Sequence, residues 1–188
     1  MAFPVEDIPG LRDREDQIVF VTRHGSALYG FDTESSDQDW FVVTTSRSPR
    51  ANHRVIHRED QPSLDVVTVG WNRFLELAHA GSHQSLETMF SREKQFTPVH
   101  EGRREFLENT RITGEDTVLR VYKRTVKKFS FGDFKRRRHA VRLAGNLTDL
   151  REFGRFDPRL SFREAAFAGN LAENLAGHAL AGILLAQF

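Results

Sequence analysis

The chain of 188 residues contains no cysteine. That excludes disulfides, a thiol nucleophile and a thiolate zinc site, and it suits a reducing, cytoplasmic setting. Methionine, tryptophan and tyrosine occur twice each, so phenylalanine, at 16 residues, carries nearly all the aromatic content. The longest apolar run, Ala179 to Ala186, falls far short of the roughly 20 residues that span a bilayer, so no membrane partner is expected. The first residues, Met1 to Asp7, lack the basic start and apolar stretch of a secretory signal. No Gly-x-x-x-x-Gly-Lys-Ser/Thr is present, which argues against a P-loop ATPase, and there is no Gly-x-Ser-x-Gly elbow or Ser-His-Asp arrangement. His53 and His57 are four apart but fall in a segment that reads as a loop. His79 and His83 share that spacing across Gly81, which breaks the helix. No histidine-based zinc site is expected.

What remains is the composition of an ordinary globular protein, 39% hydrophobic and 28% charged. The net charge of +1 conceals an asymmetry. Val118 to Arg142 holds ten Lys and Arg residues against one acid, Asp133, and the rest of the chain carries the opposite imbalance.

Short β-branched runs predict strands at Gln17 to Thr22, Asp39 to Thr45 and Leu64 to Val69. Arg47 to Asp60 is polar and contains Pro49, and reads as a loop or ragged hairpin connection. After Gly70 the period becomes helical, with Trp71, Phe74, Leu75 and Ala78 on one face and Gly81 as the stop. Further helices are expected at Ser82 to Phe90, Val99 to Asn109, Glu115 to Phe129, Phe134 to Phe153 and Ser161 to Phe188, with a break at Thr113-Gly114 and a turn at residues 154–158. The fold class is α+β: a small sheet with flanking helices over residues 1–114, then a helical lobe over 115–188.

One constellation carries chemistry. Gly25-Ser26 follows the first strand, and Asp37 and Asp39 open the second after ten intervening residues. Gly25 lets the backbone approach phosphate oxygens, Ser26 can donate a hydroxyl, and a short helix starting at Ala27 would aim N–H groups at the same anion. Residues i and i+2 of a strand project from one face, so Asp37 and Asp39 can reach the same metal pair. Asp65 lies inside the third strand, on a face with Val67 and Val69, where a carboxylate needs a reason such as a metal ion. Three carboxylates and a phosphate-holding turn are what two-metal phosphoryl transfer requires.

These residues resemble the nucleotidyltransferase superfamily of the DNA polymerase β type. The motifs are Gly25-Ser26-Ala27-Leu28-Tyr29-Gly30, Ser36-Asp37-Gln38-Asp39 and the later Asp65. The likeness is nearer still to the nucleotidyltransferases associated with phage RNA ligases. In that group a basic stretch follows, here Lys135-Arg136-Arg137-Arg138-His139-Ala140-Val141-Arg142-Leu143, and Ser85 to Phe90 resembles the segment after the core strands. Gln38 departs from the apolar residue usual in the wider superfamily, while both carboxylates remain. The resemblance implies a polymerase β-like core of mixed sheet and helices, with Mg²⁺ (or Mn²⁺) on Asp37, Asp39 and Asp65. It also implies transfer of a nucleoside monophosphate from an NTP such as ATP. Asp65 would also help activate the acceptor, and Gly25, Ser26, Gly30 and Ser36 would hold the nucleotide. The acceptor is not specified. An RNA end, as in RNA processing, is favoured, and the alternatives are an inactive RNA- or partner-binding module or a toxin–antitoxin nucleotidyltransferase.

Arg120, Lys123, Arg124, Lys127 and Lys128 form a basic stripe beside an apolar face, a candidate phosphate contact. Arg138, His139 and Arg142 are the expected nucleotide contacts of the helical lobe, on a side that Leu143 suggests is partly covered. No aromatic platform is evident in this stretch, so sequence-specific reading of RNA is not expected. The last helix mixes small and apolar residues, and its ending, Ile183 to Phe188, offers either internal packing or a homo-oligomer contact.

Overall fold

The computed structural model describes residues 3, 5–8, 10–34, 36–112, 116–186 and 188. The expected Thr113-Gly114 break and the Glu115 helix start lie outside the described residues, as do Met1, Ala2, Pro4, Pro9, Ser35 and Gln187. The fold is α+β. Two compact units interleave in sequence: Met1–Glu76 with Ser91–Asn109, and Leu77–Phe90 with Thr110–Phe188.

The first unit is built on a five-stranded mixed sheet, β1 (Ile18–Arg23), β2 (Gln38–Thr44), β3 (Asn52–Arg58), β4 (Gln61–Gly70) and β5 (Gln95–Phe96). The spatial order is β3-β4-β2-β1-β5. β2 and β4 run parallel and the other neighbours antiparallel. On one face Trp40, Val42, Leu64 and Val66 pack with Ile8 and Leu11 of the N-terminal segment. On the other, Phe20 and Phe41 meet Phe74 of α2 (Trp71–His79), with ring centroids 5.7 and 6.1 Å apart. Burial of such rings contributes about 1.5–3 kcal/mol each.

β3 corrects the expected loop at Arg47 to Asp60. Its side chains are mostly exposed on both faces, so no apolar alternation announces it. It is a polar edge strand, the kind that resists pairing with other chains. Asp60, at φ 55°, makes the tight return that pairs Arg58 with Gln61.

The second unit holds α3 (His83–Phe90), α5 (Asp116–Ser130), α6 (Phe134–Phe153), α7 (Phe162–Asn174) and α8 (Gly177–Leu185), while α1 (Gly25–Tyr29) and α4 (Gly102–Asn109) belong to the first. Val118, Tyr122 and Val126 of α5 and Ala140, Leu143, Leu147 and Leu150 of α6 are buried where these helices pack. Asp133 caps α6 by accepting from the Arg136 N–H, and Ser161 with Glu164 forms a capping box on α7. The single final helix expected from Ser161 onward is two. Leu175 and Ala176 are extended and Gly177, at φ +58°, opens α8. Among the described residues no helix is long and apolar enough to cross a membrane.

Candidate active site

The end of β1 fixes the turn. The His24 N–H donates to the Asp39 carbonyl at 2.9 Å, tying the start of the turn to β2. The His24 ring is buried against Tyr29 and Phe41, at 6.2 and 5.7 Å between centroids. Gly25 follows at φ +56°, and a Cβ there would overlap the Asp39 carboxylate, with the Asp39 Cβ itself at 3.0 Å. Glycine is required twice over, by the backbone angle and by the close approach. Ser26 is part-exposed and its hydroxyl makes no hydrogen bond among the described residues. The turn closes through Phe31 N–H to Ser26 carbonyl at 2.8 Å and Gly30 at φ +76°.

The expected helix beginning at Ala27 instead begins at Gly25 and spans five residues. Little more than one turn sums few peptide dipoles, so the turn offers individual N–H groups rather than a helix end.

Asp39 and Asp65 are partners in the parallel β2–β4 register. Paired residues of neighbouring strands share a sheet face, so both carboxylates leave the face that Phe41 and Val67 occupy. Asp37 is exposed just ahead of β2, two residues before Asp39. The Ser36 hydroxyl is engaged in the turn before it, 2.9 Å from the Thr33 N–H and 3.0 Å from the Thr33 hydroxyl. Ser36 therefore shapes the approach to Asp37.

Sequence reasoning missed His53. It sits on β3 opposite Val67, on the Asp65 face, and its Nε2 lies 2.5 Å from Asp65 Oδ1. The period-two spacing of His53 and Val55 was its only signal, and reading the segment as a loop concealed it.

The carboxylates fit a hard divalent cation in donor type and in strand register. Among the described residues no group of three or more His, Asp or Glu side chains is placed to hold a metal ion. Asp39 lies against Gly25 and Asp65 is engaged by His53.

The remaining candidates belong to the helical unit. Arg142 is buried, and its Nη1 donates to Glu87 Oε1 at 2.5 Å in an ion pair with both side chains essentially inaccessible. This corrects its reading as a nucleotide contact, since its charge is committed inside the unit. His139 lies 3.4 Å from Arg142 Nη2. Burial, reinforced by the Arg142 charge, pushes the His139 pKa down to about 3, so it is a neutral acceptor at physiological pH and brings no positive charge to a phosphate. Burial likewise lowers His83, and raises the Tyr122 hydroxyl well above its usual value. Arg138 is part-buried, its guanidinium 5.7 Å from the Phe134 ring centroid.

The family model described as RlaP, RNA repair pathway DNA polymerase beta family, matches residues 9–166. No curated protein matches the chain. Among solved structures, the chain is similar to a nucleotidyltransferase-like protein from Exiguobacterium sibiricum 255-15, at 14% identity and a TM-score of 0.36. The likeness covers 89% of this chain and 64% of that one. With strand, glycine turn and paired carboxylates in the order read from the sequence, and a family match across most of its length, the chain belongs to the RlaP family of DNA polymerase β-type nucleotidyltransferases.

Proposed function

We propose that this protein moves a nucleoside monophosphate from an NTP to an acceptor hydroxyl or phosphate, with an RNA end as the acceptor. One observation carries the reading: Gly25 packs directly on Asp39, whose strand partner on the same sheet face is Asp65. The glycine turn and two carboxylates thus occupy one patch of the sheet. In the transfer, the acceptor oxygen bonds to the α-phosphorus, the bond from that phosphorus to the bridging oxygen breaks, and pyrophosphate leaves. Gly25 and Ser26 bind the phosphate tail through a backbone N–H and a hydroxyl. Asp37, Asp39 and Asp65 would hold Mg²⁺ or Mn²⁺, which supplies charge neutralisation and a more acidic acceptor hydroxyl. Asp65 is the residue to take the acceptor's proton.

The test is incubation with each labelled NTP, Mg²⁺ or Mn²⁺, and total RNA with lysate protein. Label on RNA that disappears in Asp37→Ala and Asp39→Ala is the expected result. Transfer by the double variant at the parent rate would remove the assignment.

A second reading, a binding module without catalysis, is favoured by one observation. Asp65 is paired with His53, and the described side chains form no three-ligand cluster. It predicts no label transfer from any NTP, with binding that needs neither metal nor nucleotide.

A further inference from the structure

The stripe on α5 is more than a solvated face, because it ends in two rings. Arg120, Arg124, Lys127 and Lys128 are all exposed, and they recur at the spacing that keeps them on neighbouring lines of the helix. Arg120 to Lys128 covers about 12 Å at 1.5 Å per residue. Phe131 follows at the end of this stripe, and Phe134, Lys135 and Arg136 open α6 just beyond. Both rings are large apolar groups left in water, Phe131 at 48% and Phe134 at 44% exposure. The basic stretch, in which no aromatic platform is evident from the sequence, ends in these two exposed rings. Among the described residues none of Arg120, Arg124, Lys127, Lys128, Lys135 or Arg136 has a carboxylate partner.

The rings are held rather than loose. The Phe131 ring stands edge-on to His178 at 4.9 Å between centroids, and the Arg138 guanidinium lies over Phe134. The connection that carries them is pinned by Arg137, which donates to the Gly132 carbonyl at 2.9 Å and the Ala172 carbonyl at 2.8 Å. Arg137 is thereby spent on the fold, while its neighbours Lys135 and Arg136 face solvent.

We infer that the α5–α6 elbow is a docking surface for a single-stranded polynucleotide, with phosphates on the stripe and bases stacked on Phe131 and Phe134. Unpaired cations give the charge complementarity, and exposed rings among them are what an unpaired base stacks on and a duplex cannot use. An acidic protein segment would use the cations and leave the rings idle. The inference rests on the reading of an RNA end as the acceptor, which it deepens by naming the strand and the surface that holds it.

The experiment measures binding of labelled single-stranded RNA, single-stranded DNA and duplex RNA to the full chain, without NTP or metal, across a salt series. Phe131→Ala and Phe134→Ala are each expected to weaken single-strand binding about tenfold with the salt slope unchanged. Lys127→Ala and Lys128→Ala are each expected to lower that slope by about 0.7. Thermal melts matching the parent establish that these exposed substitutions leave the fold intact. Ring variants that bind within twofold of the parent, duplex RNA binding as tightly as the single strand, or polyglutamate competing as well as RNA would each overturn the inference. The last result would assign the face to an acidic protein. Ring-dependent binding that prefers DNA would keep the surface and remove RNA as the acceptor. Ring-dependent RNA binding with no label transfer would keep the surface and remove the proposed catalysis.

Discussion

Gly25 sits so close to Asp39 that a methyl group on residue 25 would occupy the space of the Asp39 carboxylate. The glycine of the turn and the carboxylate of the next strand therefore act as one unit, although 13 residues separate them in sequence.

Gly25→Ala is accordingly expected to do two separable things. The backbone at φ +56° costs about 1–2 kcal/mol for a residue with a Cβ. The overlap adds to that and turns the carboxylate aside, so label transfer should be lost as completely as in Asp39→Ala. Denaturant melts of both single variants and the double variant isolate the contact. In the Asp39→Ala background the cost of Gly25→Ala should shrink to its backbone share. Equal costs in both backgrounds would mean that the two residues do not meet.

The pairing of His53 with Asp65 predicts a gain. Their side chains are 60% and 35% exposed, so the interaction contributes well under about 1 kcal/mol to stability. A divalent cation and the imidazole compete for the same carboxylate. His53→Ala should leave the melting temperature nearly unchanged and tighten Mn²⁺ binding, read by electron paramagnetic resonance, while Asp65→Ala weakens it. Mn²⁺ affinity indifferent to both substitutions would remove Asp65 from the metal set.

Arg142 and Glu87 make the opposite kind of pair, fully buried. Removing one partner strands a charge in the interior at about 3–5 kcal/mol. Arg142→Met or Glu87→Leu alone should destabilise by that order in urea melts, and the double replacement should recover most of the loss. A surface phosphate contact would behave otherwise, with Arg142→Met keeping its stability.

The parts of the fold legible in the sequence are those whose local signal matches their burial. β1, β2 and β4 are apolar and β-branched, and α2 has one clean apolar face. The Asp65 face was readable because Leu64 and Val66 alternate with it and are buried. β3 was not readable, because an exposed edge strand carries no apolar alternation, and its loss hid His53. Arg142 misled for a related reason. A basic run signals a surface, and nothing in Arg138-His139-Ala140-Val141-Arg142 shows that Glu87, 55 residues earlier, is buried opposite it. The break between α7 and α8 was passed over because Gly177, which opens α8 at φ +58°, is one of several small residues in this stretch.

His139 sets a pH dependence whose sign follows from its depressed pKa. In the unfolded chain a histidine titrates near 6.5. In the fold burial and Arg142 lower that to about 3. Between those values the unfolded chain binds a proton that the folded chain does not, so stability rises with pH across the window. The contribution is complete above about 6.5 and is lost as pH falls from there toward 3, at a slope approaching about 1.4 kcal/mol per pH unit. His83 of the same unit, lowered mainly by burial, acts in the same direction. His139→Gln keeps a polar acceptor beside Arg142 and cannot be protonated. Urea melts at pH 7, 6, 5 and 4 should therefore show a shallower acid limb for His139→Gln than for the parent, with the two closest at pH 7. Parallel limbs would mean that His139 charges in the folded protein as readily as in the unfolded chain, and that it faces water.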